Sequence, residues 1–384
     1  MSQTLRARRL FDGEQWREDC AVLIQQGLID AILPAAELPP GTETIDLEDG
    51  LLAPGFIDIQ VNGGGGVLFN NQPDAAGVER MVAAHRATGT TALLPTLISD
   101  TPAVHRAGVQ AVLSAQGAGN PGVLGIHIEG PFFEVARRGT HRKDRIRQPE
   151  QHDIDWLASL GTQLSTVLTA APEHLPPGTI AALTAAGVLV CAGHTNASYQ
   201  QIVAARAEGL RGFTHLFNAM SPLTAREPGV VGAALDAPDC WVGIIADGHH
   251  VHPASIRIAH RTLPPGRLCL VTDAMSTVGD DKDWFEIYGE RIQVREGRLV
   301  NAEGALAGSA IGMIDAVRYC HQQVGIELAE CLRMASLYPA TFLRREQQLG
   351  RIAPGFRADF VRLDDNLQVL DTWVAGARET HRSN

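Results

Sequence analysis

The chain has 384 residues, 45% of them hydrophobic, which is enough apolar material to bury a large core in one α/β domain, alone or with a small satellite. A formal net charge of −11 leaves no basic footprint and argues against nucleic acid as a partner, although local Arg and Lys can still receive an anionic substrate. No stretch approaches 18 apolar residues, which excludes a membrane-spanning helix.

At the N-terminus a polar Phe11-Asp-Gly-Glu14 follows the basic opening residues, where a signal peptide would carry an apolar core. Cys20, Cys191, Cys240, Cys269, Cys320 and Cys331 form no C-x-x-C pair, and several lie inside apolar runs. Buried free thiols in a reducing cytosol, and hence a soluble cytoplasmic protein, are expected. Residues 1 to about 53 carry short β-type runs broken by turns, such as Ala21-Val-Leu-Ile24 and Leu28-Ile-Asp-Ala-Ile-Leu33. The C-terminus repeats this texture in Ala358-Asp-Phe-Val-Arg-Leu363 and Leu367–Val374. Residues 1–53 and 355–384 are therefore expected to form one discontinuous small β-sandwich domain.

Across residues 54–354, apolar strands alternate with helical segments. The expected strands are Phe56–Gln60, Ala92–Pro95, Val123–Glu129, Leu164–Ala170, Val188–Ala192, Gly212–His215, Val242–Ala246 and Leu268–Asp273. Ala75–Thr88, Pro102–Ala115, Pro177–Ala186 and Ser198–Glu208 carry Ala, Glu and Arg at helical spacing and end near Gly. Eight parallel strands with crossover helices favour a closed (β/α)8 TIM-type barrel over an open sheet. Phe285–Ala305 alternates like a hairpin and is expected as an insert after the eighth strand.

Metal-type ligands recur where these strands end: Glu129, His194, His215 and Asp273. Side chains at the C-terminal tips of successive strands build the active site of such a barrel. A carboxylate and two imidazoles holding one divalent ion, with an unattached Asp to move a proton, would be a hydrolytic centre. Asp247-Gly-His249-His250-Val-His252 lies beyond the seventh strand, where His250 is better placed for substrate than for a second metal. Gly63-Gly-Gly-Gly66 is a tight turn and not a dinucleotide fingerprint, so no nucleotide cofactor is expected. Arg226, in a loop past Asn218, could clamp a phosphate, and Arg137-Arg-Gly-Thr-His141-Arg-Lys143 adds charge for the same anion.

Together these motifs resemble the amidohydrolase superfamily and, within it, the N-acetylglucosamine-6-phosphate deacetylase family. The resemblance covers essentially the whole chain. It rests on Ala53-Pro-Gly-Phe-Ile-Asp-Ile-Gln-Val-Asn-Gly63, His127-Ile-Glu-Gly-Pro131, Gly139-Thr-His141, Ala192-Gly-His-Thr-Asn-Ala197, Thr214-His-Leu-Phe-Asn-Ala-Met220, Ile245-Ala-Asp-Gly248 and Leu270-Val-Thr-Asp-Ala274. Most superfamily members carry His-x-His at the end of the first strand for a second metal. Gln60 and Asn62 stand there in this chain, and neutral amides are poor ligands, so one ion per subunit is expected. Zn suits the Glu-His-His set, as do Fe, Co and Mn.

The resemblance implies metal binding by Glu129, His194 and His215, and a general base and acid in Asp273. It implies that His141 polarises the acetyl carbonyl, with Thr140, Asp247 and His250 near the sugar or acetamide. Asn218 and Ala219 would meet the phosphate, Leu306-Ala307-Gly308 would close over the substrate, and Arg226 would reach the phosphate of a neighbouring subunit in a homodimer. The implied reaction is hydrolysis of N-acetylglucosamine 6-phosphate to glucosamine 6-phosphate and acetate. The galactosamine epimer, a cyclic amide, or a catalytically silent scaffold remain alternatives.

Overall fold

The computed structural model describes residues 2–47, 50–302 and 304–381. Eight parallel strands run in sequential order, each hydrogen-bonded to the next: Phe56–Val61, Thr90–Ile98, Gly125–Glu129, Ser165–Ala170, Leu189–Ala192, Gly212–Phe213, Trp241–Ile245 and Leu268–Val271. Most of their residues are buried whichever way they point, which is why they read as nearly unbroken apolar runs. Helices cross between them with local start signals. Asp74 caps Ala75–Arg86 by accepting from the Gly77 N–H, Thr101 caps Pro102–Gly117, and Ser198 with Gln201 forms a capping box on Tyr199–Ala207.

The barrel closes between its first and last strands. Val61 and Ala274 form a parallel bridge, and the Asp273 N–H donates to Gln60 O at 3.0 Å. Asp58 lies wholly buried in this seam and accepts from Thr272 Oγ1 at 2.5 Å. Burial pushes its carboxyl up to about 7, against the donors Thr272 and Gln60.

Strands from both ends of the chain join in a second sheet, ordered Ala377–Thr380, Val369–Val374, Phe360–Leu363, Leu51–Pro54, Ser2–Phe11, Trp16–Gln25, Leu28–Pro34, with Ile45–Asp46 beside Ser2–Phe11. Antiparallel pairing of Phe360–Leu363 with Leu51–Pro54 sews the two ends together. Leu5, Leu10, Val22, Ile29, Phe360 and Trp373 give this sheet a core of its own. The insert after the eighth barrel strand has three antiparallel strands, Trp284–Ile287, Glu290–Arg295 and Arg298–Val300. Its Phe285, Ile287, Ile292 and Leu299 pack with Leu68, Ile98, Met275 and Ala307, against the end of the barrel where the strand tips lie. All six cysteines are free and buried. Among the described residues, no helix is long and apolar enough to cross a membrane.

Candidate active site

Glu129 is the last residue of the third barrel strand, and Gly130 turns the chain with φ +92°. His194, His215 and Asp273 each lie two residues beyond their strands, and their φ angles are +49°, +35° and +52°. The sixth and eighth strands thus stop short of the expected His215 and Asp273, because a left-handed residue cannot continue a strand. Such φ values in non-glycine residues cost roughly 1–3 kcal/mol each and persist where the surroundings hold them. Here Glu134 N–H donates to His194 O at 2.9 Å and Ser309 N–H to Asp273 O at 3.0 Å. The left-handed turn at each tip aims its side chain over the barrel mouth.

These side chains converge. Glu129 Oε1 lies 3.2 Å from His194 Nε2 and 3.1 Å from His215 Nε2, and the two imidazole nitrogens are 3.0 Å apart. Tetrahedral coordination with bonds of about 2.0–2.1 Å has ligand–ligand edges of about 3.3 Å, so this triangle fits one small divalent ion. His194 Nδ1 lies 2.9 Å from Arg137 O, a carbonyl that can only accept. That fixes the proton on Nδ1 and frees the Nε2 lone pair, the usual outer support of a ligating histidine. His215 Nδ1 is buried and has no hydrogen-bond partner among the described residues. Burial alone would raise the Glu129 carboxyl, but His194 and His215 outweigh it and hold it well below the ordinary range.

Ligand atoms of Glu129, His141 and His194 also lie within 4.8 Å of one another, so the site holds a second possible triad. The hydrogen bonds of His141 separate it from the others. Its Nδ1 accepts from the Ser99 N–H at 3.2 Å and lies 2.8 Å from Ser99 Oγ. With Nδ1 an acceptor, the proton of the neutral ring sits on Nε2, which then has no lone pair for an ion. A third set, Glu134, Glu173 and His174, is already engaged: His174 Nε2 meets Glu134 Oε2 at 2.9 Å, and Glu173 takes Thr195 Oγ1 and the Asn196 N–H. It braces the turn that carries His194.

Gln60 and Asn62, at the tip of the first strand, point into the same cluster. Gln60 Nε2 donates to Glu129 Oε1 at 3.1 Å and to Asp273 Oδ1 at 3.2 Å, and Asn62 Nδ2 donates to Asp273 Oδ1 at 2.6 Å. Amide donors thus sit between two buried carboxylates. Burial and the Glu129 charge push the Asp273 carboxyl up to about 6, within the range where a group can both accept and release a proton near neutrality.

Glu129, His141, His194, His215 and Asp273 line a cavity of about 170 Å³, together with Thr140, Asn218, Ala219, His250, Leu306 and Gly308. His250 is oriented from behind by Asp247, whose Oδ2 lies 2.6 Å from its Nδ1 and whose Oδ1 accepts from the His249 and His250 N–H groups. Asp247 and Ala307 are absent from the cavity lining. Arg226 is exposed and does not line the cavity either. Ser99 contacts His141, and Ile98, Ile245 and Met275 line the wall, without having been singled out in the sequence. Ser99 follows the second strand directly, but that strand runs to Ile98 and not to the expected Pro95, so the strand-tip rule that finds Glu129 stops short of Ser99.

Residues 51–379 match the family model described as the amidohydrolase family, and residues 5–52 match one described as the NagA composite domain. The chain belongs to the amidohydrolase family. It is 43% identical over 363 residues to an N-acetylgalactosamine-6-phosphate deacetylase of Shewanella sp. (strain ANA-3), covering 94% of this chain and 91% of that one. It is 37% identical over 361 residues to an N-acetylglucosamine-6-phosphate deacetylase of Haemophilus influenzae, covering 93% and 94%. Among solved structures, an N-acetylglucosamine-6-phosphate deacetylase of Pasteurella multocida superposes with a TM-score of 0.96 at 34% identity, covering 99% of this chain and all of the other.

Proposed function

We propose that this amidohydrolase removes the acetyl group of N-acetyl-D-glucosamine 6-phosphate, giving D-glucosamine 6-phosphate and acetate in amino-sugar breakdown. The observation that carries this reading is the convergence of Glu129, His194 and His215 beside Asp273 and His141 in one small cavity at the strand tips. Relatives that share most of the chain and are deacetylases of phosphorylated amino sugars support it.

Glu129 Oε1, His194 Nε2 and His215 Nε2 would hold one divalent ion per subunit, zinc by preference and iron, cobalt or manganese by supply. When bound, such an ion supplies Lewis-acid activation of water near neutral pH. The protein does the rest. Asp273 takes the proton of the attacking water through its cavity-facing carboxylate and returns it to the departing amine nitrogen. His141 presents Nε2–H to the acetamide oxygen, where negative charge develops as the tetrahedral carbon forms. His250, held by Asp247, contacts the sugar or the acetamide, with Thr140 beside it. Leu306 and Gly308 close the cavity over the ligand, backed by Ala307.

Asn218 and Ala219 meet the phosphate through their amide groups, and Arg226, exposed on its loop, completes the neighbouring site in a homodimer. The protein acts in the cytoplasm on a small phosphorylated amino sugar, with neither nucleic acid nor membrane as partner. The 43% identical Shewanella relative supports the galacto epimer as a second reading. Acetate release from N-acetylglucosamine 6-phosphate, its galacto epimer and the unphosphorylated sugar decides. Turnover of both phosphorylated sugars at a comparable kcat/KM would make the gluco assignment wrong, and turnover of neither would remove the proposal.

A further inference from the structure

Ser99 has a place in this site that the chemistry above does not use. A peptide N–H can only donate, so its contact with His141 Nδ1 fixes which ring nitrogen is bare. The peptide unit making that contact is itself held from the other side. Ile98 O, its carbonyl, lies 3.1 Å from both Asn70 Nδ2 and His105 Nε2, and the Ile98 N–H donates to Asn70 Oδ1 at 3.0 Å. Hydrogen bonds received by a peptide carbonyl polarise the N–H of the same unit and strengthen it as a donor.

The carbonyl of Ser99 has a distant partner, Tyr288 of the inserted hairpin, whose hydroxyl donates to it at 2.5 Å. Tyr288 and Gly289 form the two-residue turn between Trp284–Ile287 and Glu290–Arg295, with φ angles of +53° and +78°. Turns with positive φ at both central residues favour Asn, Asp and Gly, and a tyrosine there is strained. Arg142, next to His141 in the chain, places its guanidinium 5.7 Å from the centre of the same ring. A bulky residue in an unfavourable turn position, with its hydroxyl on Ser99 and its ring under Arg142, is a strained contact aimed at one place.

We propose that Ser99 is a positioning residue whose peptide N–H sets His141 as an Nε2–H donor toward the cavity, and that Tyr288 of the insert holds Ser99 in that geometry. The proposal rests on the reading of His141 as the donor to the acetamide oxygen. It gives the insert a function beyond cover: the hairpin reaches the chemistry through two hydrogen bonds, Tyr288 to Ser99 and Ser99 to His141.

The test uses the full-length zinc-loaded enzyme labelled at its histidine ring nitrogens. The chain has 14 histidines, so His141→Gln serves to assign the His141 resonances in two-bond ¹⁵N–¹H correlation spectra. We expect Nε2 protonated and Nδ1 bare in the wild type, and the same in Ser99→Ala, which keeps the peptide N–H. Tyr288→Phe should lower kcat about twofold to tenfold, the scale of one lost hydrogen bond. It should leave KM nearly unchanged and admit the other tautomer. An Nδ1-protonated His141 in the wild type overturns the proposal whatever the kinetics show. So does a Tyr288→Phe enzyme with wild-type kcat and an unchanged spectrum. A fully active His141→Gln enzyme would instead remove the reading on which the proposal rests, and the wild-type spectrum tells the two failures apart.

Discussion

Asp273→Asn separates a proton carrier from a metal ligand. Asp273 Oδ1 accepts from Asn62 and Gln60 at 2.6 and 3.2 Å, and the carboxamide oxygen of an asparagine can keep both bonds in the same space. What is lost is the second carboxylate oxygen, the one that takes the proton of water in the proposed mechanism. The loss should lower kcat by roughly 10²–10⁴, the usual contribution of a positioned acid–base, or about 2.7–5.5 kcal/mol of barrier. Metal content measured by emission spectrometry should stay at the wild-type value. Stability gives an independent reading. The folded Asp273 carboxyl titrates at about 6, above its ordinary 3.8, because burial and the Glu129 charge disfavour ionisation. Its favourable contribution is therefore complete below pH about 3.8 and is lost as pH rises through about 6. In metal-free protein, the asparagine variant should melt above the wild type at pH 8, and the difference should shrink towards pH 4. A variant that loses its metal would make Asp273 a ligand, and a kcat within tenfold of the wild type would remove it from proton transfer.

Dialysed and reloaded protein should hold about one divalent ion per chain at full activity, because Gln60 and Asn62 fill the second position with amides; two tightly bound ions would refute this. Arg226→Ala should cost about 2–4 kcal/mol in kcat/KM with the phosphorylated sugar and little with the unphosphorylated one. If Arg226 serves the neighbouring site, mixing Arg226→Ala with Asp273→Asn chains should restore partial activity; no restoration despite subunit exchange would keep the clamp within one chain. Gly308→Ala adds a methyl 2.6 Å from Met275 Cε and 2.9 Å from Asp273 O at a φ of +67°, so kcat/KM should fall by about tenfold with the circular dichroism unchanged, at roughly 1–2 kcal/mol of strain. Thr272→Val strips the buried Asp58 of its hydroxyl donor and should lower unfolding free energy in urea by about 1–3 kcal/mol; an unchanged midpoint would show that the seam does not need it.

The eight strands were legible because burial on both faces leaves a sequence little choice but apolar residues, and each run ends where a polar side chain or glycine appears. Glu129, His194, His215 and Asp273 were legible for the same reason, since an ionisable group right after such a run stands out. Their backbone was not: nothing in Thr214-His-Leu marks His215 as left-handed, and the strain is visible only in three dimensions. Ser99 and Tyr288 are not legible, because serine and tyrosine are ordinary in loops and 189 positions separate the partners of that hydrogen bond. Asp247 shows the reverse limit. The sequence places it beside His250 but does not say that its carboxylate supports the imidazole from behind.

Barrel closure and the site draw on the same few hydrogen bonds. The Asp273 N–H that closes the seam on Gln60 O also fixes the turn that aims the Asp273 carboxylate, and the Gln60 side chain then reaches that carboxylate and Glu129. Asn62 and Gly63 donate their N–H groups to Ala274 O at 2.9 and 3.0 Å, while Asp58 grips Thr272 one residue before the left-handed turn. A change in the pairing of the first and last strands would therefore move Gln60, Asn62 and Asp273 together. That coupling explains why a carboxylate as costly as Asp58 can be kept in the seam: its bond to Thr272 sets the register from which Asp273 projects. If so, Thr272→Val should reduce kcat in proportion to how far it loosens the seam, with metal content unchanged, and a destabilised variant at full kcat would separate closure from catalysis.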